Sequence, residues 1–164
     1  MNQFPSNTPP QAAHALPIIG GALGFGAASF AALAVVLPRS IGDGLGAGEA
    51  TEPDQVEFVR MLSMVHGAVL LGALVVAFTV PSAYARRTVD ADSDAALFRS
   101  RLLRWAPLEG ASLFGTMIVL LAGLDGVVQA HPVYYANLLS FVVLGAVLLS
   151  DLLGGTERPR DDRP

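Results

Sequence analysis

Long apolar runs separated by short charged segments make up this chain, and no run alternates polar and apolar residues with the two-residue period of a half-buried strand. A helix rises about 1.5 Å per residue and the hydrocarbon core of a bilayer is about 30 Å thick, so about 20 apolar residues in a row are needed to cross it. Residues 18–37, 61–80, 108–128 and 133–153 reach that length. The first run lies between Pro17 and Pro38, the second stops at Pro81, and the third and fourth follow Pro107 and Pro132. Proline suits a first helical turn, where its missing N–H would be unbonded anyway, and it is common just past a helix end. The prolines are therefore expected to bound the helices. The predicted fold class is all-α, an integral membrane four-helix bundle, flanked by disordered cytoplasmic segments at residues 1–16 and 154–164.

Composition points the same way. Hydrophobic residues make up 52% of the 164 positions and charged residues 15%, with a mean hydropathy of +0.52, values of the membrane class. The segment before Pro17 has no Arg or Lys, so it lacks the positive start of a cleavable signal and the first run is expected to be retained. The absence of cysteine removes disulfides, thiolate metal sites and thiol nucleophiles. The ten basic residues are all arginine and form no dense tract, which excludes ordinary nucleic-acid binding.

Those arginines predict orientation, because basic residues near helix ends tend to stay in the cytoplasm. Arg86, Arg87, Arg99, Arg101 and Arg104 lie between the second and third runs, and Arg158, Arg160 and Arg163 lie in the tail. The opposite side receives Arg39 and Arg60 together with an acidic, Gly-rich segment bearing Asp43, Glu49, Glu52, Asp54 and Glu57. Both termini are expected in the cytoplasm of a bacterium, with the protein in its inner membrane. Residues from Ser93 or Asp94 to Trp105 suit a short amphipathic helix in the headgroup layer, with Trp105 at the interface; the alternative is that the third helix projects beyond the bilayer.

Small residues four apart recur as Gly20/Gly24, Ala22/Gly26, Ala68/Gly72 and Ala111/Gly115. They let backbones approach closely, within one bundle or between copies through the first helix.

Ionisable groups inside a span are costly and each needs a reason. The segment Pro107-Leu-Glu-Gly-Ala-Ser-Leu-Phe-Gly-Thr-Met-Ile-Val-Leu-Leu resembles the ion-carrying helix of rotary ATP synthase proteolipid (c) subunits. That resemblance implies that Glu109 binds and releases a proton or cation. The Glu-Gly-x-x-x-Phe text also resembles small uncharacterised four-span bacterial membrane proteins. Read from its position after Pro107, Glu109 falls in a first turn, where a carboxylate complements the helix dipole and unpaired N–H groups.

His66, five residues into the second run, is expected about 7 Å below the outer boundary, with most of the membrane between it and Glu109. Its expected partners are Asp125 and Asn137 in an outer polar cluster, near Gln129, His131, Tyr134 and Tyr135. A haem held by His66 and His131 is the weakest reading. No catalytic motif, phosphate loop or zinc pair occurs in the sequence, so no enzymatic activity, metal or cofactor is expected. The sequence reads as a small multi-pass membrane protein, a subunit or accessory partner of a membrane assembly, with lipid, further copies or complex subunits as partners. The alternative is a proteolipid-like oligomer that translocates protons or cations through Glu109.

Overall fold

The computed structural model describes residues 11–42, 52–87 and 93–154. All regular structure among them is helical: α1 (Gln11–Gly42), α2 (Pro53–Arg87), α3 (Ser93–Leu124), a short α4 (Val127–Ala130), a 3-10 helix (Pro132–Leu138) and α5 (Leu139–Gly154). Four stretches are long and apolar enough to cross a membrane: Ala15–Ile41, Pro53–Ala83, Phe98–Leu124 and Pro132–Leu153. Helix α1 already runs from Gln11, inside the segment expected to be disordered; residues 1–10 and 155–164, the remainder of both expected disordered ends, lie outside the described residues.

The helices are longer than the apolar runs because four of the five prolines expected at their ends lie inside them: Pro17 and Pro38 in α1, Pro81 in α2 and Pro107 in α3. An interior proline removes one i to i−4 hydrogen bond, which long apolar helices tolerate when hydroxyls and neighbouring helices supply compensation. Near two of these prolines, hydroxyls bond neighbouring carbonyls rather than the ones four residues before the proline: Ser40 donates to Val36 and Leu37, Thr79 to Val75 and Ser82 to Phe78. Of those five, Pro132 alone opens a helix, at the start of the 3-10 segment.

Helix α2 begins where local chemistry allows it. Pro53 occupies the first helical position, and the Glu52 N–H donates to the Gln55 side-chain oxygen at 3.2 Å, one half of a capping box. Asp54 lies in the first turn, at the positive end of the helix dipole. Helix α3 stops at Leu124 because Gly126 takes a left-handed φ of 74°, the conformation that closes a helix and strongly favours glycine.

Helix α3 packs along α1, α2 and α5 and holds most of the fully buried side chains, including Trp105, Leu108, Ala111, Ile118 and Ala122. Small residues on the partners bring the backbones close. Gly20 of α1 lies under the Trp105 indole, where a Cβ would stand 3.3 Å from Cη2. Further along, Gly123 of α3 accommodates the Pro38 ring. The outer surface stays apolar: Ile18, Phe25, Leu71 and Val133 are all at least 66% exposed.

A Cβ at Gly123 would fall 2.6 Å and 2.9 Å from two Pro38 ring carbons, whereas Gly72 has nothing within 4 Å. Gly123→Ala is therefore expected to lower stability by about 1–3 kcal/mol, the usual scale of overpacking, and Gly72→Ala to leave it nearly unchanged. Unfolding of both variants in bicelles checks the difference.

Candidate functional site

Two polar clusters join the helices, and α5 takes part in both. The first is built around His66 of α2 and Asn137 at the end of the 3-10 helix, both at least 95% buried. The Asn137 amide nitrogen donates to the Tyr134 carbonyl and to Ser63 Oγ, each at 2.9 Å. Ser63 in turn donates to the Val59 carbonyl. Because a carbonyl only accepts, these bonds fix which way the amide points. Asn137 Oδ1 thus faces His66 Nδ1 at 2.9 Å, and Nδ1 carries the hydrogen.

The other ring nitrogen, Nε2, lies 3.1 Å from the Ala111 carbonyl of α3 and 3.1 Å from Ser140 Oγ of α5. Ser140 is also 3.1 Å from the Asn137 carbonyl, so its hydroxyl proton has two acceptors within reach. Phe114 packs edge-on to the imidazole at 5.9 Å between centroids. Gly115 makes the arrangement possible: a Cβ there would lie 2.6 Å from Nε2 and collide with the Asn137 carbonyl.

Helix α2 reaches back to Pro53, so the imidazole sits thirteen residues or about 20 Å along the helix, beyond the charged turns that carry Asp54, Glu57 and Arg60. It lies level with Ala111 and Gly115, which follow Glu109 by two and six residues, about 3–9 Å of helical rise. His66 and Glu109 are therefore not separated by the thickness of a membrane. They do lie on different sides of α3, since two residues turn a helix by about 200°.

Asp125 does not join His66 and Asn137. It is exposed on the turn that follows α3, and α4 and the start of the 3-10 helix separate it from Asn137. The turn at the left-handed Gly126 leaves Asp125 exposed while Val127 and Val128 just beyond it are buried. His131 is exposed as well and stacks edge-on with Tyr134 at 6.3 Å. It shares no site with His66, whose two ring nitrogens both meet protein groups, so a haem bridging these histidines has no geometric basis.

Glu109 is half-buried and has no hydrogen bond or ion pair among the described residues. Helix α3 begins sixteen residues earlier, at Ser93, so Glu109 is not in a first turn and the helix-end explanation for its carboxylate fails. It stands about 16 Å from the Phe98 end of the apolar stretch and about 22 Å from the Leu124 end. One turn further, the Ser112 hydroxyl is buried without a partner.

The second cluster was not anticipated. Asp151 of α5 accepts from Arg104 Nη1 and from Trp105 Nε1, both at 2.8 Å, and the Arg104 guanidinium carbon sits 4.8 Å from the centre of the Phe78 ring on α2. Trp105 is fully buried and α3 is continuous through it. It is therefore not an interfacial residue on a separate amphipathic helix; the alternative of a third helix that continues outward describes the backbone. The signal was present in the text SDLL, an acid inside an apolar run, which calls for a cation at the same level.

No family model matches the chain, and no curated protein or solved structure is significantly similar to it.

The clusters predict an order of mutational cost. His66→Leu is expected to lose about 0.6–2 kcal/mol, the range of interhelical hydrogen bonds in membranes. Asp151→Leu should lose more, because it strands the partly buried Arg104 charge and the indole N–H together. Equilibrium unfolding in bicelles reads both.

Proposed function

We propose that this chain is a small, non-enzymatic multi-pass protein of the bacterial inner membrane that serves as a subunit or accessory partner of a membrane assembly. The observation that carries the reading is the distribution of polarity. The polar side chains of the His66 and Asp151 clusters are committed to bonds between helices, while the surface around them is apolar. That is the inverse of a water-soluble fold and suits lipid as the solvent. On α1, Gly20 and Gly24 face the bundle, whereas Ala22 and Gly26 remain exposed. This outer face is where a partner helix or a second copy would approach most closely.

The orientation with both termini in the cytoplasm rests on the arginines at the α2–α3 end and in the tail. After carbonate washing the protein should stay with the membrane fraction. A reporter active only outside the cytoplasm should be active when fused after Gly46 and silent when fused after Asp92 or Pro164. The opposite pattern would overturn the orientation, and release by carbonate would overturn the membrane reading.

A second reading is favoured by one feature, the unpartnered Glu109 inside an apolar stretch with the orphaned Ser112 hydroxyl on the next turn. Oxygen donors in that setting suit a proton or a small hard cation. If Glu109 carries an ion, dicyclohexylcarbodiimide should modify it faster than the loop acids, and Na⁺ or high pH should slow the reaction. If it does not, modification should match that of the loop acids and Glu109→Gln should leave flux across proteoliposomes unchanged.

A further inference from the structure

His66 is surrounded by more hydrogen-bond acceptors than a neutral imidazole can serve. Its Nδ1 faces Asn137 Oδ1 at 2.9 Å, and its Nε2 faces the Ala111 carbonyl at 3.1 Å. Both oxygens only accept. The Asn137 amide is oriented by its own donations to Tyr134 and Ser63, and a carbonyl within a helix keeps a second lone pair for a further donor. A neutral imidazole carries one ring hydrogen and an imidazolium two. The neutral ring, with its hydrogen on Nδ1, therefore turns a bare Nε2 lone pair toward the Ala111 oxygen. Only a hydrogen on each nitrogen serves both oxygens.

We infer that the pocket around His66 is a binding site for a proton, taken up on Nε2 and held as an imidazolium between Asn137, Ala111 and Ser140. Ser140 is what allows both states. With the ring neutral, its hydroxyl donates to Nε2 across 3.1 Å. On uptake, the new Nε2–H donates to the Ala111 carbonyl and the hydroxyl turns to the Asn137 carbonyl, also 3.1 Å from Oγ. One new N–H bond and one hydroxyl rotation complete the step, and no backbone has to move. A buried charge is costly unless it is hydrogen-bonded, and bonds from an ionised donor are about twice as strong as neutral ones. Ionisable groups within membranes commonly use backbone carbonyls in this way. No carboxylate stands against the ring. On α3 the acid next in sequence to Ala111 is Glu109, on a different side of that helix. The 3-10 helix brings Tyr134 and Tyr135, α4 brings no titratable group, and α5 brings Asp151, held by Arg104 about 16 Å beyond Ser140. Helix α2 itself brings Arg60, exposed and paired with Glu57. Among the described residues, only neutral oxygens meet the two ring nitrogens.

The test follows the ring hydrogens of His66 by nitrogen NMR. His14→Gln and His131→Gln leave His66 as the only histidine of the full chain, which is isotope-labelled at both ring nitrogens and placed in bicelles. As the pH is lowered, Nε2 is expected to change from a bare to a hydrogen-bearing nitrogen while Nδ1 keeps its hydrogen and the chain stays folded. Ser140→Ala removes the donor to the neutral Nε2 and leaves the Ala111 carbonyl to the cation. In that variant Nε2 should gain its hydrogen about 0.4–1 pH unit earlier in the acidification, the equivalent of one net hydrogen bond. An Nε2 that stays bare until the fold is lost would overturn the inference. So would a folded Ser140→Ala chain whose Nε2 gains its hydrogen no earlier than the unaltered site; if that variant does not fold, the ring with Ser140 in place decides alone. The readout reports on His66 itself, so an inert Glu109 or release by carbonate leaves this result standing.

Discussion

The fold depends on a constraint that Asn137 meets: a hydrogen-bonding group held away from water must find its partner within the protein. Asn137 uses both ends of its amide. The nitrogen is bound to the 3-10 backbone at Tyr134 and to Ser63 of α2, and the oxygen receives the His66 proton. Through His66 Nε2, which can accept from Ser140, the same group reaches α5, and the ring lies against the Ala111 carbonyl and Gly115 of α3. One short amide therefore sets the mutual positions of α2, α3 and α5. The close approach this requires is the reason position 115 must be glycine.

The opposite end of α5 is fixed by different chemistry. Asp151 lies eleven residues beyond Ser140, about 16 Å along the helix, and it holds Arg104 and the Trp105 indole of α3. Between the two polar points, Leu144, Val147 and Leu148 fill the interior with Trp105 and Leu108. In an apolar solvent such packing gains little from the hydrophobic effect, so helix association relies on close contact and on bonds of this kind. Among the described side chains, helix α1 brings no polar group to either cluster and instead relies on fit, with Gly20 under the indole and Pro38 against Gly123.

The helical class and the four apolar lengths are legible in the sequence because a run of about 20 apolar residues has few alternative forms. The ends are not, since proline was read by its behaviour in water, where an interior proline breaks a helix. Within long apolar helices Pro17, Pro38, Pro81 and Pro107 are carried inside. Pro107 inside α3 is what takes Glu109 out of a first turn. The contact between His66 and Asn137 can be anticipated from the scarcity of polar residues in apolar runs, because each has few partners to choose from. Asp125 stands out beside a helix end but is exposed, while Asp151, among leucines close to the charged tail, is the acid that joins two helices. What decides between them is the level at which a cation and an indole wait on another helix, which one-dimensional text does not display.

The direct measurement is a double-mutant cycle between His66 and Asn137, each replaced by leucine singly and together, with unfolding free energies taken in bicelles. If Asn137 locks the bundle through the imidazole, the two changes should be coupled by about 0.6–2 kcal/mol. Strictly additive losses, with coupling indistinguishable from zero, would contradict a bundle organised around that pair.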